Sequence, residues 1–228
     1  LGNVWTTTYD AASNPVASTD PLNHTTTAVY DDLNRQIATV SPLGIRTSQA
    51  FDAVGNSVSM TDGLGSTTSY GFDALNRQMT VTDPLGFTTT NTLDSVGNLT
   101  GLTDASGNHT TWVYDALNRQ VAETNPLGAT STVAYDAAGR KTSETDRLGR
   151  RRDFEYDADN RMTAEKWFAV GGSQTQTQTW TYDAASRMLT AQDPDGTYTY
   201  AYDGASRLSH VDEPFGLSLT FGYDAVGN

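Results

Sequence analysis

The feature that most constrains the fold is an internal repeat of 21 residues. The hexapeptide DALNRQ occupies residues 73–78 and recurs unchanged at residues 115–120, two repeat lengths later. A fixed period of this length indicates a repeat architecture, in which each unit is one supersecondary element stabilised by its neighbours. An aromatic–Asp pair, or a close variant, marks eleven units: Tyr9-Asp10, Tyr30-Asp31, Phe51-Asp52, Phe72-Asp73, Leu93-Asp94, Tyr114-Asp115, Tyr135-Asp136, Tyr156-Asp157, Tyr182-Asp183, Tyr202-Asp203 and Tyr223-Asp224.

Each repeat carries two turn signals, about half a repeat apart. The first lies four and five residues after the aromatic, where a small or turn-forming residue precedes Asn or Arg, as in Gly139-Arg140. There the Asp carboxylate is predicted to accept backbone N–H groups two or three residues on, while Gly or Asn takes a left-handed conformation. The second signal is a glycine, often the last residue of a segment such as DPLG or SPLG, in which Pro fixes the first turn position. Each unit is therefore predicted to be one β-hairpin plus the turn to the next unit.

Composition and alternation favour strands over helices. Thr, Tyr, Val and Trp suit a pleated surface, whereas Gly, Asn and Asp suit turns. Two residues before the aromatic there is often a second ring, as at Trp112 and Tyr200, and the residues between are mostly small or polar. Because so short a hairpin cannot bury its apolar face alone, consecutive units are predicted to pair edge to edge and to shield one another's rings from water. The predicted fold class is all-β: a strip of antiparallel hairpins, 21 residues per repeat, which strand twist coils into a curved or spiral wall.

The repeat resembles a known family. The segments YDALNRQ (114–120) and YDAAGR (135–140) and the DPLG turns, at 21-residue spacing, are similar to the Rhs or YD repeat of bacterial Rhs toxins, cell-wall-associated polymorphic toxins, cocoon-forming components of bacterial toxin complexes, and teneurins. The resemblance covers the whole chain. It implies a spiralling β strip that, over many repeats, closes a hollow shell around a cargo or toxin polypeptide. The motif of the family's self-cleaving aspartates is absent here, so no residue is assigned that role.

The repeats are expected to form a single array over residues 1–228. We interpret this array as a section of a longer chain, because Leu1-Gly2 matches the end of a truncated unit and Gly227-Asn228 falls within a turn. An array without capping units exposes edge strands, so end-to-end association with other repeats is a further hypothesis.

A second, longer period runs through the first turns. Gly-Asn and Asn-Arg turns alternate from Ser13-Asn14 to Asn118-Arg119, with Ser in the place of Gly in the first unit. The alternation has two interpretations, a recent duplication of paired units or a structural period of two units. The sequence alone does not separate them.

The net charge of -13 has a structural interpretation. Eighteen of the 27 acidic residues are assigned to turns: the eleven Asp of the aromatic–Asp pairs and Asp20, Asp62, Asp83, Asp104, Asp146, Asp193 and Asp212 of the second turn. Nucleic acid is not expected as a partner, because phosphate binding requires clustered Lys and Arg. The one basic cluster, at residues 147–152, has acidic neighbours. Calcium is the alternative raised by Asp and Asn beside Gly, but the spacing fits neither an EF-hand loop nor the nonapeptide calcium repeat, so no metal site is predicted.

No catalytic or cofactor-binding residue is predicted. His24, His109 and His210 lie at different positions of different repeats. The chain has no cysteine, no phosphate-binding loop and none of the common nucleophile or zinc motifs. No apolar run approaches the roughly 20 residues of a membrane-spanning helix, and no segment resembles a signal peptide.

An insertion interrupts the period between Tyr156 and Tyr182, where the spacing grows to 26 residues. A Gly-Gly pair flanked by aromatic residues and by a strict Gln/Thr alternation predicts an elongated hairpin near residues 165–180. Its marker residues are Trp167, Phe168, Gly171, Gly172 and Trp180. The hairpin is either an interaction site for a neighbouring turn, cargo or receptor, or ordinary length variation of a surface loop.

Three classes of function follow from these observations. The favoured class is a structural segment of a secreted or cell-surface shell that encloses, carries or spaces a cargo. The alternative is an extracellular adhesive module, in which exposed aromatic rings bind glycans or a receptor. A hydrolase or lyase of the solenoid type is the third class, and the regular spacing of one Asp per turn argues against the converging carboxylates that it would need.

Overall fold

The computed structural model describes residues 4–224 and 226–227. The described chain consists of β-strands joined by turns. The strands are β1 (Thr6–Tyr9), β2 (Pro15–Thr19), β3 (Thr25–Tyr30), β4 (Gln36–Val40), β5 (Arg46–Phe51), β6 (Ser57–Thr61), β7 (Thr67–Phe72), β8 (Gln78–Thr82), β9 (Thr88–Leu93), β10 (Leu99–Thr103), β11 (His109–Tyr114), β12 (Gln120–Thr124), β13 (Thr130–Tyr135), β14 (Lys141–Thr145), β15 (Arg151–Tyr156), β16 (Met162–Phe168), β17 (Gln174–Tyr182), β18 (Met188–Asp193), β19 (Gly196–Tyr202), β20 (Leu208–Asp212) and β21 (Ser218–Thr220).

The chain divides into two compact units, Leu1–Thr111 and Trp112–Asn228. In the first, each strand from β1 to β10 pairs antiparallel with the strand that follows it; the boundary between the units falls within β11. In the second, β12 to β21 pair in the same way. The predicted all-β fold of antiparallel hairpins, one per 21-residue repeat, is confirmed. Asn228 of the last predicted turn lies outside the described residues.

Within each unit, strands contact only the strands beside them, so the sheet is a single layer. Among the described residues only three apolar side chains are buried, those of Ala38, Ala164 and Val211. Rings such as Tyr30 and Tyr135 are half-buried, and Tyr9 is 63% exposed. The expectation that neighbouring units shield the rings from water is therefore only partly correct. Because no second layer packs across the sheet, neighbouring strands cover the sides of a ring but nothing covers its outer face.

The turns repeat one geometry at both ends of the strands. In the turn after Tyr30, the Asn34 N–H donates to the Asp31 carbonyl at 2.9 Å, and the Asp31 N–H donates to the Arg35 carbonyl at 3.0 Å. This pair of bonds defines a three-residue hairpin loop, a tight turn followed by a residue in the left-handed region. The same two bonds occur in second turns such as DPLG at residues 83–86, between Asp83, Gly86 and Phe87.

Two second turns depart from the sequence-based assignment. The loop before Gly216 begins at Glu213, because Glu213 rather than Asp212 makes the two backbone bonds; Asp212 is the last residue of β20. The assignment of Asp212 to this turn was wrong. Asp193 pairs directly with Gly196, so this loop has two residues instead of three. The shorter loop explains why Tyr202 follows Tyr182 after 20 residues rather than 21.

A β-bulge recurs beside the aromatic residue of the aromatic–Asp pair. Val29 pairs with Ala38, but Tyr30 pairs with Gln36, so Ile37 is skipped. The same register shift precedes Phe51, Phe72, Tyr135, Tyr156, Tyr182 and Tyr202. A bulge interrupts the backbone ladder and leaves polar groups that need other partners.

Candidate functional site: a ladder of carboxylate turns

The Asp of each aromatic–Asp pair organises its own loop. One carboxylate oxygen of Asp31, Oδ1, accepts the N–H of Leu33 at 3.0 Å and the N–H of Arg35 at 2.9 Å. The partners in this loop therefore lie two and four residues on. The N–H three residues on belongs to Asn34 and is used by the Asp31 carbonyl. The expected bond three residues on is made by Asp193, whose Oδ1 accepts the N–H of Gly196 at 3.1 Å. Asp suits this position, since its short side chain reaches back over a loop of this size.

The third loop residue adopts a positive φ in every turn of this kind. Asn34 has a φ of 59°, Gly55 of 100° and Ser206 of 63°. Gly adopts this conformation at no steric cost and Asn tolerates it. The three positive-φ serines, Ser13, Ser186 and Ser206, show that the position does not require Gly or Asn.

An arginine closes the loop and extends to the next repeat. In Arg161, Nε donates to Oδ2 of Asp157 at 2.7 Å, and Nη1 donates to the backbone carbonyl of Asp183 at 2.8 Å. Asp183 opens the corresponding turn of the following repeat. Bonds of the same kind link Arg35 to Asp52, Arg77 to Asp94, Arg119 to Asp136, Arg140 to Asp157 and Arg207 to Asp224. The planar guanidinium satisfies two turns at once, which a point-like ammonium could not do in this geometry.

Asparagine makes a shorter version of the same link. The Asn14 amide donates to the Asp10 carboxylate at 2.9 Å and to Oδ1 of Asn34 at 2.8 Å. Asn56 repeats this arrangement towards Asn76 at 2.9 Å. Because Asn cannot reach the next backbone carbonyl, it needs a side-chain acceptor at the left-handed position of the next turn. In the first unit the alternation of Gly-Asn and Asn-Arg turns therefore matches a structural period of two repeats.

The tyrosine of an aromatic–Asp pair can form a hydrogen bond to the preceding repeat. The Tyr182 hydroxyl donates to the Met162 carbonyl at 2.9 Å, and the Tyr202 hydroxyl donates to the Met188 carbonyl at 2.9 Å. Both carbonyls lie in the bulge six residues after the previous aromatic. Phe51 has no hydroxyl, and there the Gln49 amide donates to the equivalent Gln36 carbonyl at 2.7 Å. Hydrogen bonds thus link repeats both to the repeat that follows and to the repeat that precedes.

The aromatic ring of each aromatic–Asp pair described below also packs against an arginine of the preceding repeat. The Arg161 guanidinium lies 5.0 Å from the centre of the Tyr182 ring, and that of Arg119 lies 4.5 Å from the Tyr135 ring. Cation–π pairs of the same type join Arg35 to Phe51, Arg140 to Tyr156, Arg187 to Tyr202 and Arg207 to Tyr223. Guanidinium–ring contacts thus join successive repeats.

These hydrogen bonds lower the pKa of the turn carboxylates. For Asp31, the Arg35 side chain and then the Arg35 N–H hold the pKa below its usual value. For Asp52, partial desolvation raises the pKa, but the bonds from Asn56 and the loop backbone outweigh it, and the net shift is downward. The pKa is also lowered in the following turn residues: Asp10, Asp20, Asp73, Asp94, Asp104, Asp115, Asp136, Asp146, Asp157, Asp183 and Asp203. A lowered pKa keeps these groups ionised as acceptors.

The insertion forms the longest hairpin of the second unit. β16 and β17 are joined by a loop in which Gly171 and Gly172 both have a φ of 88°. Val170 at this tip lies next to Gly149 of the preceding turn. Trp167 is 38% exposed, whereas Phe168 and Trp180 are half-buried.

The basic cluster beside this hairpin is matched by carboxylates. Arg152 contacts Glu144 and Glu165 and lies 5.1 Å from the Trp167 ring centre. The remaining pairs are Arg147 with Glu123, Arg150 with Asp146 and Arg151 with Asp153. A compensated cluster of this kind does not present the free cations that a phosphate backbone requires.

The described residues contain no cluster of three or more His, Asp or Glu side chains arranged to hold a metal ion. The three histidines each contact a nearby residue of their own hairpin: Asp20 for His24, Thr103 for His109, Asp212 and Thr220 for His210. The turn aspartates are each engaged in their own loop and do not converge. Over the described part of the chain, no helix has the length and apolar character needed to span a membrane. The arrangement is suited to holding repeats together.

Comparison with known proteins agrees with this geometry. The family model described as RHS Repeat matches residues 30–67, 51–88, 94–130 and 135–166, more than half of the chain. No curated protein sequence matches the chain.

Solved structures similar to this chain include one that shares its fold. The crystal structure of TcdB2-TccC3-TEV has a TM-score of 0.50 and 16% identity, covering 91% of this chain and 13% of that chain. TcdB2-TccC3-Cdc42 has a TM-score of 0.47 and 16% identity, over 92% of this chain and 14% of that one. The Photorhabdus luminescens Tc holotoxin pore has a TM-score of 0.46 and 15% identity, over 91% and 13%. This chain therefore spans about a seventh or less of the length of these structures.

Proposed function

The chain belongs to the RHS repeat family, and from this premise we propose that it is a non-catalytic section of a β wall that encloses a polypeptide cargo. The wall is proposed to be part of a longer Rhs-type protein, secreted or exposed at the cell surface. Residues 1–228 would form one continuous array within it, and strand twist would curve that array. The partners are other repeats of the same wall and the enclosed chain.

The observation that carries the proposal is the series of hydrogen bonds that links successive repeats. Asp157 presents its carboxylate to Arg161 of its own turn and its backbone carbonyl to Arg140 of the previous repeat. In the first unit Asn alternates with Arg as the linking residue, so a hydrogen bond to the next turn recurs along the array. A site built for catalysis would instead concentrate unlike groups at one place. Hydrogen bonds that recur from repeat to repeat favour extension of a wall over many repeats.

Imaging and protease protection of the complete polypeptide that contains this chain test the proposal. We expect electron microscopy to show closed hollow particles. A segment of the polypeptide should also resist protease until the particle is denatured. An open ribbon, or a filament with every segment accessible to protease, would contradict enclosure.

The adhesive alternative has weaker support. Trp112 and Trp180 are half-buried, and Trp167 lies beneath Arg152 at 5.1 Å, so these rings offer little free face to a sugar. Only Trp5, at 69%, is largely exposed among the four tryptophans. We therefore do not propose glycan binding.

The insertion hairpin is proposed as a contact point with cargo or a neighbouring part of the wall, because Val170 at its tip is 67% exposed. Deleting residues 169–177 tests this role. Assembly should be impaired if the hairpin makes a contact. Unchanged particles would assign it to ordinary loop variation.

A further inference from the structure

Aromatic residues are distributed unevenly between the two units. The chain has 4 Trp, 11 Tyr and 7 Phe residues; seven of these rings lie within residues 1–111 and the other fifteen within residues 112–228. The position two residues before the aromatic of each aromatic–Asp pair shows the same contrast. It is filled by Thr7, Ala28, Gln49, Tyr70 and Asn91 in the first unit and by Trp112, Val133, Phe154, Trp180, Tyr200 and Phe221 in the second. Because a ring or a large aliphatic group removes more apolar surface from water than Thr, Ala, Asn or Gln, the second unit gains more from hydrophobic burial.

The hydrogen bonds that link successive first turns are stronger in the second unit. In the first unit, Asn14 and Asn56 make this link with a neutral amide and alternate with Arg35 and Arg77. In the second unit, the five successive turns that begin at residues 115, 136, 157, 183 and 203 all link through arginine. Hydrogen bonds from an ionised donor are roughly twice as strong as those between neutral groups.

Guanidinium–ring contacts follow the same division. Over residues 4–111, Arg35 and Phe51 form the one such pair, and Arg77 is followed in the next repeat by Leu93, which has no ring. Each of the five linking arginines of the second unit lies 4.4–5.0 Å from the centre of the ring that follows it in the next repeat. Cation–π contacts of this kind stabilise the association of one repeat with the next.

We propose that the first unit opens by local unfolding while the second unit stays folded. The stability of a repeat array is approximately the sum of the stability of each repeat and of its contacts with its neighbours. Local opening therefore begins where these contributions are smallest. Ring burial, the hydrogen bonds between turns and the guanidinium–ring contacts all favour the second unit, so opening should be confined to residues 4–111.

In a closed wall, the section that opens first would be the route by which an enclosed chain leaves or a protease enters. This consequence rests on the proposed function, whereas the opening itself is a property of the chain alone. Opening can therefore be measured without any cargo.

Amide hydrogen exchange of this chain, followed by mass spectrometry at low denaturant concentrations, tests the proposal. The outermost strands of any array fray, so the comparison uses strands at similar distances from the two chain ends, β5–β8 and β14–β17. We expect β5–β8 to exchange at least about tenfold faster, through an opening that does not expose β14–β17. Equal rates in the two sets of strands, or faster exchange of β14–β17, would overturn the proposal.

An arginine substitution tests the cause of the difference. Asn56 follows a glycine, as Arg140 does, and Phe72 corresponds to Tyr156 in the next repeat. Arg140 bonds the backbone of the next turn at 3.1 Å and lies 4.9 Å from the centre of the Tyr156 ring. Asn56→Arg should supply both contacts and slow the exchange of β5–β8 at least about threefold. Arg140→Asn should conversely speed the exchange of β14 and β15, and it keeps the test decisive if Asn56→Arg does not fold.

Ser66→Arg is the matched control. Ser66 lies four residues after Asp62 in a second turn, as Arg150 does after the aspartate of its own turn. The variant adds the same charge and a local ion pair between β6 and β7, but the Arg150 side chain shows that an arginine at this position stays 64% exposed. Exchange of β5–β8 should therefore stay within about twofold of the unchanged chain.

Two results with these variants would also overturn the inference. Ser66→Arg could slow exchange as much as Asn56→Arg, or Arg140→Asn could leave the exchange of the second unit unchanged. In either case the links between repeats would not set the order of opening. Closed particles formed by the complete polypeptide are a separate measurement, so failure here is distinguishable from failure of the proposed wall function.

Discussion

The Nε atom of Arg161 lies 2.7 Å from the Asp157 carboxylate, four residues earlier in the same loop. Arg150 and Asp146 form the same bond at 2.7 Å, yet the Arg150 side chain is 64% exposed and that of Arg161 only 20%. The difference arises because Arg161 also bonds the Asp183 carbonyl and covers the Tyr182 ring. The two arginines separate the effect of the local ion pair from the effect of the link between repeats.

We predict that Arg161→Ala lowers the melting temperature by roughly 2–4 °C, because the variant loses a charge-assisted bond to a neighbouring repeat as well as ring contact. Arg150→Ala should change it by less than about 1 °C, since an isolated exposed ion pair contributes little. Amide hydrogen exchange should locate the loss at residues 183–187 in Arg161→Ala. Equal effects of the two substitutions would show that the link between repeats adds nothing.

The Tyr182 hydroxyl gives a second prediction. Tyr182→Phe leaves the ring in place but removes the donor to the Met162 carbonyl, and it should lower the free energy of unfolding by about 1 kcal/mol. Tyr156→Phe is the control, because within the described residues its ring covers Arg140 while its hydroxyl has no protein partner. Denaturant unfolding of both variants checks this. The bulge bond would be irrelevant if the two variants were equally stable.

The sequence predicted the hairpins because their signals are local. Each turn signal lies within four positions, as from Asp136 to Arg140. It consists of an Asp and, three residues later, a residue able to adopt a positive φ. The bonds between repeats were not predicted, since they depend on register. The Tyr182 hydroxyl reaches Met162 only because a bulge shifts the pairing at that point.

One error and one change of loop length had signals in the sequence. Counting three residues back from Gly216 gives Glu213, the true start of the loop, just as it gives Asp83 from Gly86. The 20-residue spacing before Tyr202 likewise indicates a loop shortened by one residue. Ring exposure had no such signal, because whether a second layer covers a sheet is decided by parts of the molecule distant in sequence.

Two glycines provide a test of the left-handed position. Gly139 has a φ of 85°, and a Cβ there would meet only Arg119 Nη1 at 3.8 Å, so the cost of Gly139→Ala is conformational. We expect a loss of about 1–2 kcal/mol of unfolding free energy. Gly204 has open space around it and no positive φ, so Gly204→Ala should be neutral or stabilising by up to about 1 kcal/mol. Chemical denaturation compares them, and Gly139→Asn should recover most of the loss, since Asn34 already adopts this conformation.

The lowered pKa values of the turn aspartates predict an acid-sensitive fold. A carboxyl whose pKa is lower in the folded than in the unfolded chain stabilises the fold fully above its unfolded pKa, about 4 for Asp. That stabilisation is lost as the pH falls through the folded pKa. Because many loops share the shift, including those of Asp31, Asp136 and Asp157, we expect a stable plateau near neutral pH and a steep decline in melting temperature below about pH 4.

Asp136→Asn provides the matched comparison. Asn125 shows that an amide oxygen can accept the loop N–H groups, from Leu127 at 3.1 Å and Ala129 at 2.9 Å, without a charge. The variant should be less stable than the unchanged chain at pH 7, because Arg140 loses its ionised partner. The difference should shrink as the pH falls through the lowered pKa of Asp136, where protonation removes the charge from the unchanged chain as well. Melting curves that run parallel across this range would exclude ionised turn carboxylates as a source of stability.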